Sequence, residues 1–228
     1  MHRYAVRDAH ATKWTARLVR RRRVLTAVRA NLARLPTDYC VDLSGDAYGH
    51  GFTALAETAL TWGSTEFRVC NPSEEATLRR LAAGRDIRVT GEGPSRHAAA
   101  MYGLANDSGL LPVMRLCASV ISVKRLRAGD PVSYGYTWRA PIDTTLALVS
   151  IGYADGVSRR ASNRATASLR GARPIVGRIA MDVLSLDLGD DGVAVGDEAV
   201  LFGHETGSTE AWAALLGVPP LSVTAGVG

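Results

Sequence analysis

The 228-residue chain is 46% hydrophobic with a formal net charge of +5, enough for one large domain or two small ones. It has no apolar run of about 18 residues and therefore no membrane span is expected. Arginine supplies nearly all the positive charge, since Lys13 and Lys124 are the only lysines. Cys40, Cys70 and Cys117 are odd in number, far apart and without CxxC spacing. They read as reduced, buried thiols of a cytoplasmic protein rather than as a disulfide framework or a metal site.

At the start of the chain, Arg17 to Arg23 is followed by no continuous apolar core or small-residue cleavage site, so no secretory leader is expected. The run Arg20 to Arg23 has the charge of a nucleic-acid surface, but no aromatic residues are interleaved for base stacking. Leu18, Val24, Leu25, Val28, Leu32 and Leu35 recur at near-helical spacing and predict an amphipathic helix with a solvated arginine face. Residues 1–35 are accordingly read as a basic helical segment, with no nucleic-acid partner.

A short apolar strand, Cys40 to Leu43, leads into SGDAYGHG at 44–51. An aspartate, a tyrosine and a histidine among three glycines, directly after a strand, give it the look of a cofactor-binding loop. A helix over Thr53 to Thr61, a strand over Thr65 to Cys70, a helix over Ser73 to Ala83 capped by Ser73, and a strand over Asp86 to Thr90 follow. Strand, loop, helix, strand is the order of a βαβ unit and hence of a parallel sheet. Beyond Pro112 the pattern changes to short strands separated by glycine turns: Arg115 to Arg125, Thr145 to Tyr153, Ala165 to Leu169, Pro174 to Asp187 and Glu198 to Phe202. That spacing predicts a small all-β barrel or sandwich.

Two segments of this second half are chemically loaded. In IGYADGVSRR, 151–160, Tyr153 is placed at a strand end beside a tight turn. Its phenol either packs at a barrel rim or acts as a general base. The second role needs a nearby cation to lower its pKa from about 10. In VGRIAMDVLSLDL, 176–188, an alternating strand carries Met181 and Asp182 at its middle, and alone it reads as core.

Taken together, DAYGHG, AAAMYGL (98–104), GDPVSYGYTWRAP (129–141), IGYADG, NRA (163–165), VGRIAMD and LGDDGVAVGDEAVLFG (188–203) resemble alanine racemase, in that order, over most of residues 24–228. The resemblance implies dependence on pyridoxal 5′-phosphate, an N-terminal (β/α)₈ (TIM-type) barrel followed by a mostly β C-terminal domain, and a homodimer. The activity it implies is interconversion of L-alanine and D-alanine, which supplies D-alanine for peptidoglycan. Tyr48 matches the tyrosine that contacts the cofactor phosphate, Arg96 the arginine facing the pyridine nitrogen, and Ala98 and Ala99 the backbone cradle of the phosphate. Tyr153 matches a catalytic base that reaches the partner subunit's site, and Met181, with Asp182 beside it, a residue near the substrate carboxylate.

Ser44 stands where the resemblance puts the Schiff-base lysine, which is also the second catalytic base. A serine forms no stable imine and is not deprotonated near neutral pH. The barrel is also short. Cys40 to Leu111 is less than a third of the about 250 residues of a complete one, and the strands that carry the ring-stacking histidine have no counterpart. The expectation is a truncated, incomplete barrel remnant over 36–111, a β domain over 112–228, and racemase activity that is weak or absent. The alternative is a non-catalytic dimerisation or regulatory module. No metal is implied.

Overall fold

A computed structural model describes residues 19–91, 97–105, 109–203 and 208–227. The chain enters through β1 (Val19–Arg23), which pairs antiparallel with residues 114–118. The arginine run is therefore a strand where a helix is expected, and residues before Val19 lie outside the described part. A long strand offering unpaired backbone outweighs the local helical spacing. The helix itself, α1 (Leu25–Leu32), begins after the run and buries Ala27, Val28, Asn31 and Leu32.

Asn31 is fully buried and clips distant chain together. Its Nδ2 donates to the Met101 and Leu111 carbonyls at 3.0 and 2.8 Å, and its Oδ1 accepts from the Leu111 N–H at 2.8 Å. Asn31→Ala strands those three backbone groups, and we expect it to cost about 2–3 kcal/mol. A denaturant midpoint equal to that of the parent would contradict this.

Next come β2 (Val41–Asp42), a left-handed turn α2 (Ser44–Tyr48), α3 (Phe52–Trp62), β3 (Glu66–Arg68), α4 (Pro72–Ala82), β4 (Arg88–Thr90) and the short α5 (Ala98–Met101). The strands form a parallel sheet in the order β2-β3-β4, with Val41 opposite Phe67 and Phe67 opposite Val89. Val41, Leu43 and Phe67 meet Leu55 and Ala59 of α3 and Leu78 of α4 in one buried core. The cap of α4 is Asn71 rather than Ser73: its side chain accepts from the Glu74 N–H at 2.9 Å. Pro72 lacks an N–H and fits the first helical position, which moves the cap back by two residues.

The remaining elements are β5 (Met114–Leu126), β6 (Pro131–Val132), β7 (Trp138–Arg139), β8 (Thr144–Val149), β9 (Thr166–Ser168), β10 (Ala172–Pro174), β11 (Leu184–Gly189), β12 (Glu198–Phe202), α6 (Thr209–Leu216) and α7 (Pro220–Gly226). The sheet runs β10-β9-β12-β5-β8-β11, with β1 also on β5. Its two ends meet, because Ile175, next after β10, bridges Leu186 of β11. Alternate residues of β5, β8, β11 and β12 fill the interior, with Phe202 edge-on to Trp212 of α6.

Two expected strands are shorter than their patterns. The one ending at Tyr153 stops at Val149, and the one over 174–187 is broken between β10 and β11. The break is where the chain crosses itself: a Cβ on Gly152 would lie 2.3 Å from both the Ala180 and Met181 carbonyl oxygens. Of the cysteines only Cys117 is buried; Cys40 is half-buried and Cys70 exposed. The helix α7 packs against α2, and its Leu221 reaches the core of the parallel sheet. No helix among the described residues is long and apolar enough to cross a membrane.

Candidate functional site

The loop after β2 carries concentrated backbone strain. Gly45, Asp46, Ala47 and Tyr48 all lie in the left-handed region, with φ of 60, 55, 55 and 52°. For the three non-glycine residues that costs roughly 1–2 kcal/mol each. Such conformations persist where surrounding bonds over-determine them, and they cluster at functional sites. Here the Gly51 N–H donates to the Asp46 carbonyl, the Phe52 N–H to Asp46 Oδ1 at 2.7 Å, and the Ala47 N–H to the Leu43 carbonyl. The buried His50 ring stacks on Tyr102 at 4.2 Å between centroids.

Asp42, at the C-terminal end of β2, is the centre of the loop. It is 0% exposed. Its Oδ1 accepts the Ser44 N–H and its Oδ2 the Tyr48 hydroxyl, each at 3.0 Å, while its carbonyl accepts the Tyr102 hydroxyl. Arg68 Nη1 stands 3.8 Å from Oδ2. Burial first, then the charge of Asp42, pushes the Tyr48 phenol up to about 12 and the Tyr102 phenol well above its ordinary value. Both hydroxyls therefore stay protonated donors. Around this centre, Glu74 accepts from the Asp46 and Cys70 N–H groups, and the exposed Cys70 sulfur accepts from the Gly45 N–H. The Ser44 Oγ and Arg68 Nε are buried and have no hydrogen-bond partner.

A second group lies on the β barrel. Tyr153 opens a 3-10 turn, Tyr153–Asp155, after Gly152. Its N–H donates to the Ala180 carbonyl and that of Ala154 to the Met181 carbonyl, each at 3.0 Å. Met181, expected inside a strand, is 55% exposed beside Tyr153, which is 43% exposed. The Arg159 guanidinium lies 5.6 Å from the Tyr153 ring and 5.8 Å from that of Tyr134, and Arg178 faces Tyr134 from 5.5 Å. The Tyr134 hydroxyl donates to the Ile179 carbonyl at 3.2 Å. Thr137, Arg159, Arg160, Ser162, Asn163 and Arg178 line an adjoining open cavity. Gly152→Ala forces the two crossing segments apart, and we expect it to move the Tyr153 and Met181 signals in an NMR spectrum while destabilising the barrel by about 1–3 kcal/mol. Unchanged chemical shifts would contradict the packing.

Of the residues singled out from the sequence, Ser44 and Tyr48 thus share the Asp42 group, and Tyr153 and Met181 share the barrel group. Ala98 and Ala99 open α5, whose following residue Tyr102 bonds to Asp42. Arg96 lies outside the described residues. Asp42, Arg68, Tyr134, Arg159 and Arg178 were not singled out. Tyr134, Arg159 and Arg178 lie inside or beside quoted motifs, but they meet only where residues 133–134 bond to 178–179 and the turn at 152–155 crosses 180–181.

The residues at the loop do not fit a covalently held pyridoxal phosphate. Ser44 offers a hydroxyl where an amine is required. Lys124 is exposed on β5, opposite Leu146 of β8, and Lys13 lies outside the described residues. The Tyr48 hydroxyl, matched to a phosphate contact, donates to a carboxylate instead.

A family model described as the alanine racemase C-terminal domain matches residues 113–228. An alanine racemase of Mycobacterium avium is 47% identical over 184 residues, which cover 75% of this chain and 45% of that protein. The chain spans about half the length of the curated relatives it matches. Among solved structures, the alanine racemase of Streptomyces coelicolor A3(2) is similar at a TM-score of 0.77 and 25% identity, covering 92% of this chain and 96% of that one. The alanine racemase of Bartonella henselae with covalently bound pyridoxal phosphate is alike in fold, with a TM-score of 0.81 at 17% identity, covering 92% of this chain and 97% of that one.

Proposed function

The chain belongs to the alanine racemase family, and from that premise we propose that it is a racemase-derived protein whose own activity on alanine is weak or absent. Ser44 carries this reading: the position of the covalent anchor and second base holds a side chain that can be neither. We read β2 to β4 as part of an incomplete (β/α)₈ barrel over 36–111, and residues 112–228 as the β domain. Of residues 1–35, β1 belongs with that β sheet. The family pairing, two subunits with a tyrosine reaching across, is proposed for this chain as a homodimer in the cytoplasm.

In that pairing the barrel group contributes a tyrosine base and its cation. A tyrosine takes a proton from carbon only as its phenolate, and a neighbouring positive charge favours that anion. Arg159 faces both rings, but Arg178 adds a second guanidinium only at Tyr134, which favours Tyr134 over Tyr153 for the role. Met181 sits beside this pair as a substrate contact. The cofactor, where a family member holds it, supplies the electron sink for the α-carbon.

The test is a racemisation assay of the purified chain with added pyridoxal phosphate, beside a full-length relative. We expect D-alanine formation at or below about one-thousandth of the relative's rate, the scale of losing one proton-transfer group. A rate within tenfold of the relative would refute the proposal. A second reading, a non-catalytic dimerisation or regulatory module, is favoured by the exposed Tyr134, Tyr153 and Arg159 on an otherwise complete β sheet. It predicts a stable mixed dimer with a full-length racemase, and separate elution of the two chains would eliminate it.

A further inference from the structure

We infer that Asp42 closes this site to pyridoxal phosphate: it is a specificity-determining residue that turns the loop after β2 from an anion-binding one into an anion-excluding one. The inference rests on the family reading above and concerns a residue that the reading does not use.

Asp42 is fully buried and occupies both functional positions of the loop at once. Its Oδ1 holds the backbone of Ser44, where the anchor belongs, and its Oδ2 holds the hydroxyl of Tyr48, which the resemblance assigns to phosphate. A phosphate dianion that approached Tyr48 would meet a carboxylate oxygen 3.0 Å behind the hydroxyl, and the hydroxyl's single proton already points at that oxygen. Arg68 does not reverse this. Its Nη1 is 3.8 Å from Oδ2, an ion pair at the outer limit of contact. Asp46 and Glu74 add further carboxylates around the same turn, both accepting backbone N–H groups, while Arg68 is paired with Asp42 alone among the described residues. The raised phenol of Tyr48 has the same cause: after burial, the Asp42 charge is the largest reason it holds its proton. Rejecting a ligand by placing like charge against it is a recognised route to specificity.

The arrangement also bears on any amine placed at position 44. An ammonium next to a buried carboxylate is held in its charged form, and only the neutral amine attacks an aldehyde. Ser44 and Asp42 therefore bear on the same chemistry from different sides.

The experiment measures equilibrium binding of pyridoxal 5′-phosphate to the full chain and to Asp42→Asn, with Asp42→Val as a second variant in case the amide misfolds; circular dichroism confirms folding. Asparagine keeps an acceptor for the Ser44 N–H and removes the charge. We expect at least tenfold tighter binding by the variant, competed by inorganic phosphate; a gain below tenfold overturns the inference. A measurement on the parent chain needs no variant: pyridoxal without its phosphate is expected to bind at least as tightly as pyridoxal phosphate, and a tenfold preference for the phosphate ester overturns the inference. Borohydride trapping followed by intact-mass analysis supplies a third readout. Ser44→Lys/Asp42→Asn is expected to give at least tenfold more adduct than Ser44→Lys, and equal yields count against the idea. Racemisation or site-specific trapping by the parent chain would instead refute the proposed loss of activity, so the two failures are separable.

Discussion

Ser44→Lys is expected to leave alanine racemisation at or below about one-thousandth of the rate of a full-length relative assayed beside it, although it supplies the lysine that the resemblance implies. General acid–base groups contribute about 10²–10⁴-fold each, and a returned lysine can supply its share only if it is neutral and the rest of the site is in place. Neither condition is met. The backbone N–H of position 44 is bonded to Asp42, so a lysine there starts beside a buried carboxylate, which favours the charged ammonium. The chain also spans about half the length of the curated relatives it matches, and the resemblance leaves no counterpart for the strands that carry the ring-stacking histidine. Coupled detection of D-alanine measures the outcome. A single-mutant rate within tenfold of the relative would mean that the loss is confined to one side chain.

Phe67→Ala is expected to cost about 3–5 kcal/mol, the range for truncating a buried aromatic residue, and to unfold the parallel-sheet half while the β barrel persists. Phe67 lies on the middle strand of a three-stranded sheet, opposite both Val41 and Val89, and is fully buried beneath α3 and α4. Those strands are two or three residues long, so the core depends on few large side chains. The barrel core has β5 paired from Met114 to Leu126 except at a bulge between Val120 and Ser122, and closes through Ile175 and Leu186. Limited proteolysis with mass analysis should release fragments from residues 25–104 first and leave 113–227 protected. Early cleavage inside the barrel, with residues 25–104 intact, would reverse the assignment of strength.

The sequence was most legible where local pattern and tertiary demand agreed. Glu198 to Phe202 is a short, mostly apolar run bounded by glycine turns, and it forms a strand over those residues; α3 and α4 follow from apolar spacing and punctuation to within two residues. It was least legible where a distant segment decides the conformation. The arginine run looks helical until β5 supplies a strand edge 95 residues away, with Val19 opposite Ala118 and Arg23 opposite Met114. Met181 reads as core from its alternation, yet the chain crossing at Gly152 turns it outward.

The candidate site divides in the same way. Ser44 and Tyr48 could be read from SGDAYGHG because the loop is contiguous. Asp42, two residues before it, carries no local signal: an aspartate at a strand end is unremarkable until its oxygens are seen to bond Ser44 and Tyr48. Tyr134 and Arg178 lie 44 residues apart in sequence and meet only because the barrel brings their turns together. Charge and hydrogen-bond partners across such distances are properties of the fold, and no window of sequence contains them.

The most direct measurement is borohydride trapping of the unmodified chain incubated with pyridoxal 5′-phosphate, read by intact mass and peptide mapping. With Ser44 at the proposed anchor position, Lys124 exposed on a barrel strand and Asp42 facing the loop, no site-specific adduct is predicted at a ligand concentration that fully labels a full-length relative. A stoichiometric adduct on Lys124 or Lys13, carrying alanine racemisation with it, would contradict the account.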